Sequence, residues 1–144
     1  MEKSGERLFL DNLAEDISWE TGDVLLESIS IFRRATHPNV PIQQMLTFLA
    51  ICNNSSSTGS EIGRICKTPV GSHSRNILSL TKEGSSRKQK GFGLIWKKDI
   101  PTLTGETRSE IHLTEKGDLV YDALRKSLKD HFEELILNDW QVKK

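Results

Sequence analysis

Long hydrophobic runs are absent from this sequence, and their absence argues against a membrane protein. Residues 1–6 are polar and charged, whereas a secretory signal requires an apolar stretch near its start. No segment approaches the roughly 20 consecutive apolar residues that cross a bilayer. The 144 residues are 35% hydrophobic and 28% charged, which is ordinary for a folded globular domain. We therefore expect one cytoplasmic domain with its own core and no membrane partner.

Cysteines are scarce as well. Cys52 and Cys66 are the only two, and they stand 14 residues apart in apolar surroundings. Disulfide frameworks and metal sites need more cysteines or closely spaced pairs, so the sequence predicts buried thiols that behave as small hydrophobic groups. A redox-sensing thiol needs an exposed, electropositive setting. Only Cys66, beside Lys67, is a candidate for such a thiol.

Motifs of the common enzyme families are also missing. The chain has no GxSxG nucleophile turn, no Walker phosphate loop and no HExxH zinc helix. Its four histidines, His37, His73, His112 and His131, are dispersed along the chain. The sequence therefore predicts no catalytic residue, no metal and no cofactor. A small-molecule effector is possible but has no support in the sequence.

Neither sign of charge is in excess overall, yet the charges are unevenly distributed. The net charge is zero, while residues 1–35 have eight acids against four bases and residues 109–144 have eight against six. Between Arg64 and Lys98, nine bases accompany a single acid, Glu83. Binding partners respond to local fields rather than to the total charge. This basic segment therefore favours a polyanionic partner such as nucleic acid.

Hydrophobic periodicity predicts an order of secondary-structure elements. Helices are expected over 17–35, 41–53, 61–66 and 69–81, and a long amphipathic helix is expected toward the C-terminus. Between the fourth and fifth helices, alternating residues predict two strands over 94–98 and 108–113. Pro101 and Gly105 mark the tip of the hairpin that joins these strands.

Proline and capping residues mark the predicted helix starts. Pro41 and Pro69 suit the first helical position, where the fixed φ is favourable and the missing N–H has no role. Thr58 or Ser60 is expected to cap the third helix, and Thr68 is expected to cap the fourth. Two short helices joined by a tight turn therefore precede the hairpin.

The first and last helices carry more apolar surface than one short chain can bury. Leu26 and Ile29 form a second apolar face on the first helix, and an apolar stripe begins at Val120 on the last. A helix with two apolar faces needs two surfaces to pack against, and a partner subunit is a natural second one. The segments 17–35 and 115–140 are therefore predicted to be dimerisation helices.

The order helix, turn, helix and two-stranded hairpin is that of a winged helix-turn-helix. We expect a mainly α fold with a small β-hairpin, forming a single domain over 1–144. Its winged helix-turn-helix core spans 41–113 and is flanked by the N- and C-terminal dimerisation helices.

The helix over 69–81 takes the place of the recognition helix in this motif. Helical spacing predicts that Val70, Ile77 and Leu80 face inward. The residues predicted to face outward are Gly71, Ser72, Arg75, Asn76 and Ser79. The Arg75 side chain can form two hydrogen bonds with the edge of a guanine, and the Asn76 side chain can pair with an adenine. The alternative for Arg75 is contact with phosphate or solvent only.

Several segments resemble the MarR (multiple antibiotic resistance regulator) family, and divergent phage-type members in particular. These segments are HPNVPIQQMLTFLAI, TGSEIGRICKTPVGSHSRNILSLTKEG, GFGLIWKKD and IHLTEKGDLVYDAL. The resemblance covers roughly residues 35–124. Each segment alone is weakly specific, but their order and spacing together are considerably more so.

The resemblance implies an obligate homodimer that binds a pseudo-palindromic operator in the cytoplasm of a bacterium or an infected bacterial host. Together with the basic segment, it predicts these DNA-binding residues: Ser72, His73, Ser74, Arg75, Asn76, Ser79, Arg87, Lys88, Lys90, Lys97, Lys98 and Arg108. Arg108 sits near the family's wing arginine, which enters the minor groove. The sequence departs from the family pattern at two places in the wing. The segment 85–90 lengthens the connection to the first strand, and PTLTGET replaces the compact acidic tip. As a result, Arg108 is one residue closer to Leu113 and Thr114 than in the family pattern.

Two functions are therefore compared. The favoured one is a sequence-specific regulator of transcription that binds double-stranded DNA. The alternative is a winged helix that docks on a transcription or replication complex, since this fold serves both purposes.

Overall fold

The computed structural model describes residues 19–85 and 90–142. In chain order the elements are α1 (Trp19–Ala35), α2 (Ile42–Asn53), α3 (Gly59–Cys66), α4 (Val70–Leu80), β1 (Ile95–Pro101), β2 (Thr107–Leu113) and α5 (Glu115–Val142). The two strands pair antiparallel, in a register that runs from Ile95 opposite Leu113 to Pro101 opposite Thr107. The predicted fold class, mainly α with one β-hairpin, is confirmed. Residues 17 and 18 of the predicted first helix lie outside the described residues.

The chain divides into two compact units. The first unit comprises Met1–Ser30 and Leu124–Lys144 and is called the helical unit after its described residues, 19–30 and 124–142; the winged-helix unit comprises Ile31–Ala123. None of the helices over the described residues is long and apolar enough to cross a membrane.

The core of the winged-helix unit is built around α2, as the apolar character of this helix predicts. Phe48 is fully buried, and its ring lies 5.5 Å from that of Phe32 in a tilted arrangement. Ile62 of α3, Leu80 of α4 and Ile111 of β2 are buried as well. Burial of such side chains supplies the main favourable free energy of the fold.

Helix ends follow the sequence signals with small shifts. Thr58 caps α3 by accepting a hydrogen bond from the backbone N–H of Glu61 at 3.3 Å. Pro41 and Pro69 each precede their helix by one residue rather than forming its first turn. Thr68 was expected to cap α4, but its buried hydroxyl has no hydrogen-bond partner within the described chain. That expectation was wrong. Pro69 is the N-cap residue of α4 instead, and its carbonyl oxygen accepts a hydrogen bond from the backbone N–H of His73 at 3.1 Å.

Backbone contacts fix the base of the wing. Thr114 donates a side-chain hydrogen bond to the carbonyl of Gly93 at 2.6 Å and accepts one from the backbone N–H of Gly117 at 3.0 Å. A Cβ atom at Gly117 would overlap the carbonyl oxygen of Leu94, and one at Gly91 would overlap that of Thr81. Gly91 of the GFGLI segment and Gly117 of the LTEKG segment are therefore required by this close approach of main chain to main chain, whereas Gly93 has space around it and a positive φ of 69°.

The helical unit leaves several apolar side chains exposed. Leu25 is 57% exposed and Leu26 is 67% exposed on α1, and Ile29 and Leu128 are partly exposed. Glu27 of α1 and His131 of α5 approach to 2.7 Å. The apolar surface predicted on the second face of α1 is therefore uncovered in the single chain.

Candidate nucleic-acid interface

Helix α4 buries one face and exposes another. Its buried face contains His73, Asn76, Ile77 and Leu80. The exposed face contains Val70, Gly71, Ser74, Arg75 and Leu78. Ser72 and Ser79 lie at the boundary and are partly exposed. The Arg75 guanidinium Nε donates to the carbonyl of Gly71 at 3.3 Å, which lays this side chain along the helix surface.

Three of the orientations predicted for α4 were wrong. Val70 was expected inside but is 76% exposed, while Asn76 was expected outside but is only 8% exposed. His73, expected to face DNA or solvent, is also only 8% exposed. The buried stripe of the helix runs through positions 73, 76, 77 and 80. Residue 70 lies beside this stripe, three residues before position 73, but it is the first residue of the helix and stays exposed at the helix end. Asn76 and His73 therefore meet DNA only if the helix moves.

A close approach between α3 and α4 explains why His73 is buried. A Cβ atom at Gly63 would lie 2.5 Å from the imidazole Nδ1 of His73, so only glycine leaves space for this ring. The Nδ1 atom of His73 and the Nδ2 atom of Asn76 have no hydrogen-bond partner among the described residues. Sequence reasoning treated both polar side chains as exposed, and Gly63 was the one available signal of tight helix contact.

An open groove of about 480 Å³ separates α4 from the wing. Hydroxyl groups line it from the cap of α3, from α4 and from β2, and these belong to Thr58, Ser60, Ser74, Thr107 and Ser109. Lys97 and Arg108 supply its positive charge, and Val70 and Leu78 supply apolar contact. Hydroxyl and cationic donors are the groups that hold phosphate and sugar in protein–DNA complexes.

Arg108 is anchored to the protein at the edge of this groove. Its Nη1 lies 2.9 Å from a carboxylate oxygen of Glu61, its Nη2 donates to the carbonyl of Ser56 at 3.3 Å, and its Nε lies 3.5 Å from Glu110. The hydrogen bond from Arg108 lowers the pKa of the Glu61 carboxyl. Arg108 therefore ties β2 to the first turn of α3, and a contact with the minor groove stays a prediction.

The other predicted basic residues are distributed around the groove. Lys90, Lys97 and Lys98 are exposed. Arg87 and Lys88 lie outside the described residues. The sequence analysis did not place Arg64 and Lys67 in the site, although both line a smaller groove, of about 320 Å³, between α3 and the start of α4. Their position in the basic segment was the signal that could have included them.

Neither cysteine has the setting of a redox sensor. Burial raises the pKa of the Cys66 thiol, and burial raises the pKa of Cys52 to about 12. Both thiols therefore stay protonated near neutral pH, whereas the reactive form is the thiolate. In the described part of the chain, no group of three or more His, Cys, Asp or Glu residues is arranged to hold a metal ion.

Lys67 ends α3 in a strained backbone conformation, with φ 54° and ψ 38°. The left-handed region costs a non-glycine residue about 1 kcal/mol or more. We expect Lys67→Gly to raise the free energy of unfolding by about 1 kcal/mol while weakening binding to every DNA duplex, because one cation is removed. Denaturant unfolding and DNA titration measure the two effects. Lys67→Asn is the companion variant, since asparagine tolerates this conformation, and a loss of stability in both variants would contradict the strain argument.

The comparisons with known proteins identify the fold. No protein-family model matches the chain, and no curated protein sequence does. The crystal structure of RV1404 from Mycobacterium tuberculosis is similar, with a TM-score of 0.63 and 14% identity, over 94% of this chain and 82% of that one. The crystal structure of the MarR family transcription regulator SP03579 is similar with a TM-score of 0.50 and 16% identity, over 94% and 80%. The chain therefore has a winged-helix fold of the MarR type, as the resemblance in the sequence predicted, while the likeness to phage-type members stays a prediction.

Proposed function

We propose that this protein is a sequence-specific regulator of transcription that binds double-stranded DNA as a homodimer. The observation that carries the proposal is the groove between α4 and the wing, which combines hydroxyl donors with Lys97 and Arg108. In a winged helix bound to DNA, the recognition helix enters the major groove and flanking groups contact the backbone. A regulator acts where the chromosome lies, so the proposed location is the bacterial cytoplasm.

The charges around the groove support this function. Lys97 and Lys98 project from β1, and Arg64 and Lys67 lie at the end of α3, so cations are present on both sides of α4. Phosphate neutralisation releases condensed counterions, and this release supplies much of the affinity of proteins for DNA. A transcription regulator needs no catalytic residue, and we assign none to this chain.

The exposed apolar residues of the helical unit support a dimer. Leu25 and Leu26 are each more than half exposed in the single chain, although large contiguous apolar surface is costly in water. A two-fold partner that covers the segments 17–35 and 115–140 would bury them. Such a dimer presents two recognition helices to half-sites about 10 base pairs apart, which is the geometry of a pseudo-palindromic operator.

Replacing Lys97 tests the groove directly. We expect Lys97→Gln to weaken all duplexes alike and to reduce the slope of log affinity against log salt by about one per protomer, because each phosphate contact contributes about 0.9 to that slope. Lys129→Gln is the matched control, since Lys129 is exposed on α5 and pairs with Glu133 at 3.7 Å. Fluorescence anisotropy over a salt series measures both variants. An unchanged salt slope in Lys97→Gln would show that the groove does not contact DNA.

The alternative function is docking on another protein of a transcription or replication complex. Exposed apolar side chains on α2 and α3 favour it: Ile42 is 66%, Leu46 is 47% and Ile65 is 48% exposed. A module of this kind needs no phosphate contacts. Its affinity for mixed-sequence DNA would therefore be weak at every salt concentration, and this measurement separates the two functions.

A further inference from the structure

The exposed face of α4 is mostly apolar. Val70 is 76% exposed and Leu78 is 38% exposed, and they stand eight residues apart on the side of the helix that borders the groove. With a rise of 1.5 Å per residue, this separation is about 12 Å along the helix axis. Between them lie Ser74 and one charged side chain, Arg75.

Few groups on this face can read bases by hydrogen bonding. Asn76, which would suit adenine, is buried on the opposite side of the helix. Arg75 matches guanine, and Ser74 bonds to any base. The remaining major-groove feature is the C5-methyl group of thymine, and proteins recognise it by apolar contact.

The start of α4 leaves space for a close approach to DNA. Val70 is the first residue of the helix, and the N-terminal residues of a recognition helix are those that contact base edges. Beside it, a Cβ atom at Gly71 would have no protein atom within 4 Å. Val70 itself is 76% exposed, so this end of α4 is accessible to a base edge.

We infer that the recognition helix reads 5-methyl groups of thymine through Val70 and Leu78, with Arg75 binding a guanine between them. The inference rests on the proposed function and makes it more specific, since it states which bases the operator must contain. The basic groups on both sides of α4 favour DNA as the occupant of this apolar face, because they complement phosphate and not an apolar protein surface.

Removal of the methyl group alone tests the inference. The probe is a duplex selected by the protein from a random pool, synthesised once with thymine and once with deoxyuridine at every thymine position. We expect the deoxyuridine duplex to bind about fourfold more weakly for each contacted thymine, which corresponds to about 0.8 kcal/mol for one buried methyl group. Base pairing and phosphate charge are the same in both duplexes.

Protein variants assign the effect to the two side chains. Val70→Ala and Leu78→Ala should bind the thymine duplex more weakly and should each lose part of the discrimination between the two duplexes. Leu46→Ala is the control, because Leu46 is 47% exposed on α2, away from the groove and outside the segments 17–35 and 115–140, and this variant should retain the full discrimination. Circular dichroism verifies that each variant is folded, and Val70→Ala is the decisive one because its side chain is largely exposed already.

The possible negative results distinguish a failure of the proposed function from a failure of the inference. If the protein selects no duplex and binds none, the proposed function fails, and the inference fails with it. If it binds a selected duplex but does not distinguish thymine from deoxyuridine, only the inference is overturned, and the apolar face of α4 is then assigned to a protein partner. Full discrimination retained by Val70→Ala and by Leu78→Ala also overturns the inference.

Discussion

Leu26→Glu is expected to convert the protein to a monomer and to lower its affinity for a selected operator about a hundredfold. Leu26 is 67% exposed on α1 in the single chain, so the substitution costs the isolated protomer little. In a dimer that covers this face, the new carboxylate would lose its hydration without gaining a partner. Binding would then rest on one half-site, and the gain of about 10² or more from linking two half-sites would disappear.

Sedimentation equilibrium and DNA titration measure the two consequences together. The control is Leu46→Glu, which makes the same chemical change at a leucine that is 47% exposed on α2, outside the segments 17–35 and 115–140. We expect this control to remain dimeric and to bind DNA within a few-fold of the original protein. A monomeric Leu26→Glu that keeps full operator affinity would contradict the dimeric mode of binding.

Gly117→Ala is expected to destabilise the protein by about 3 kcal/mol, the upper part of the range for inserting an atom into a closely packed site. Gly117 is the third residue of α5, where helix propensity alone would favour alanine by about 1 kcal/mol. The added Cβ would overlap the carbonyl oxygen of Leu94, which is main chain and cannot rotate away. The steric effect is therefore larger than the gain in helix propensity, and the net change in the free energy of unfolding is a loss.

Thermal unfolding measures this change, and a loss of about 3 kcal/mol lowers the Tm of a chain of this size by about 10 °C. Gly71→Ala is a matched control, since it introduces the same Cβ into α4, where no atom lies within 4 Å. Propensity then acts alone, and we expect the Tm to stay the same or rise slightly. If both variants unfold at the temperature of the original protein, the close approach at the base of the wing is wrong.

The order of elements could be predicted from the sequence because local signals encode it. Prolines before α2 and α4, the Thr58 cap and the alternation along β2 each mark an element boundary within a few residues. The strands extend further than predicted, to Pro101 and from Thr107, because pairing across the hairpin continues to the tip. Pairing between strands depends on the partner strand, and the pattern of one strand does not contain it.

The orientation of the recognition helix could not be predicted in the same way. Asn76 and Val70 exchanged their expected positions because α4 is too short for its hydrophobic pattern to define one phase, and contacts with α2 and α3 decide it. His73 is buried because Gly63 leaves room for its ring. Tertiary contacts of this kind override residue polarity, so the exposed face of α4 could be identified only from the structure.

The wing is fixed at one end and free at the other, and this difference governs how the protein can evolve. Main-chain contacts at Gly91, Gly117 and Thr114 leave no room for an inserted residue at the base. At the tip, residues 103–107 are all exposed, and Leu103 contacts nothing that buries it. Insertions and deletions are tolerated at exposed loop tips, while a shift of one residue within paired strands turns every side chain to the opposite face. The wing can therefore change its reach through the tip alone, and the surface below it stays intact.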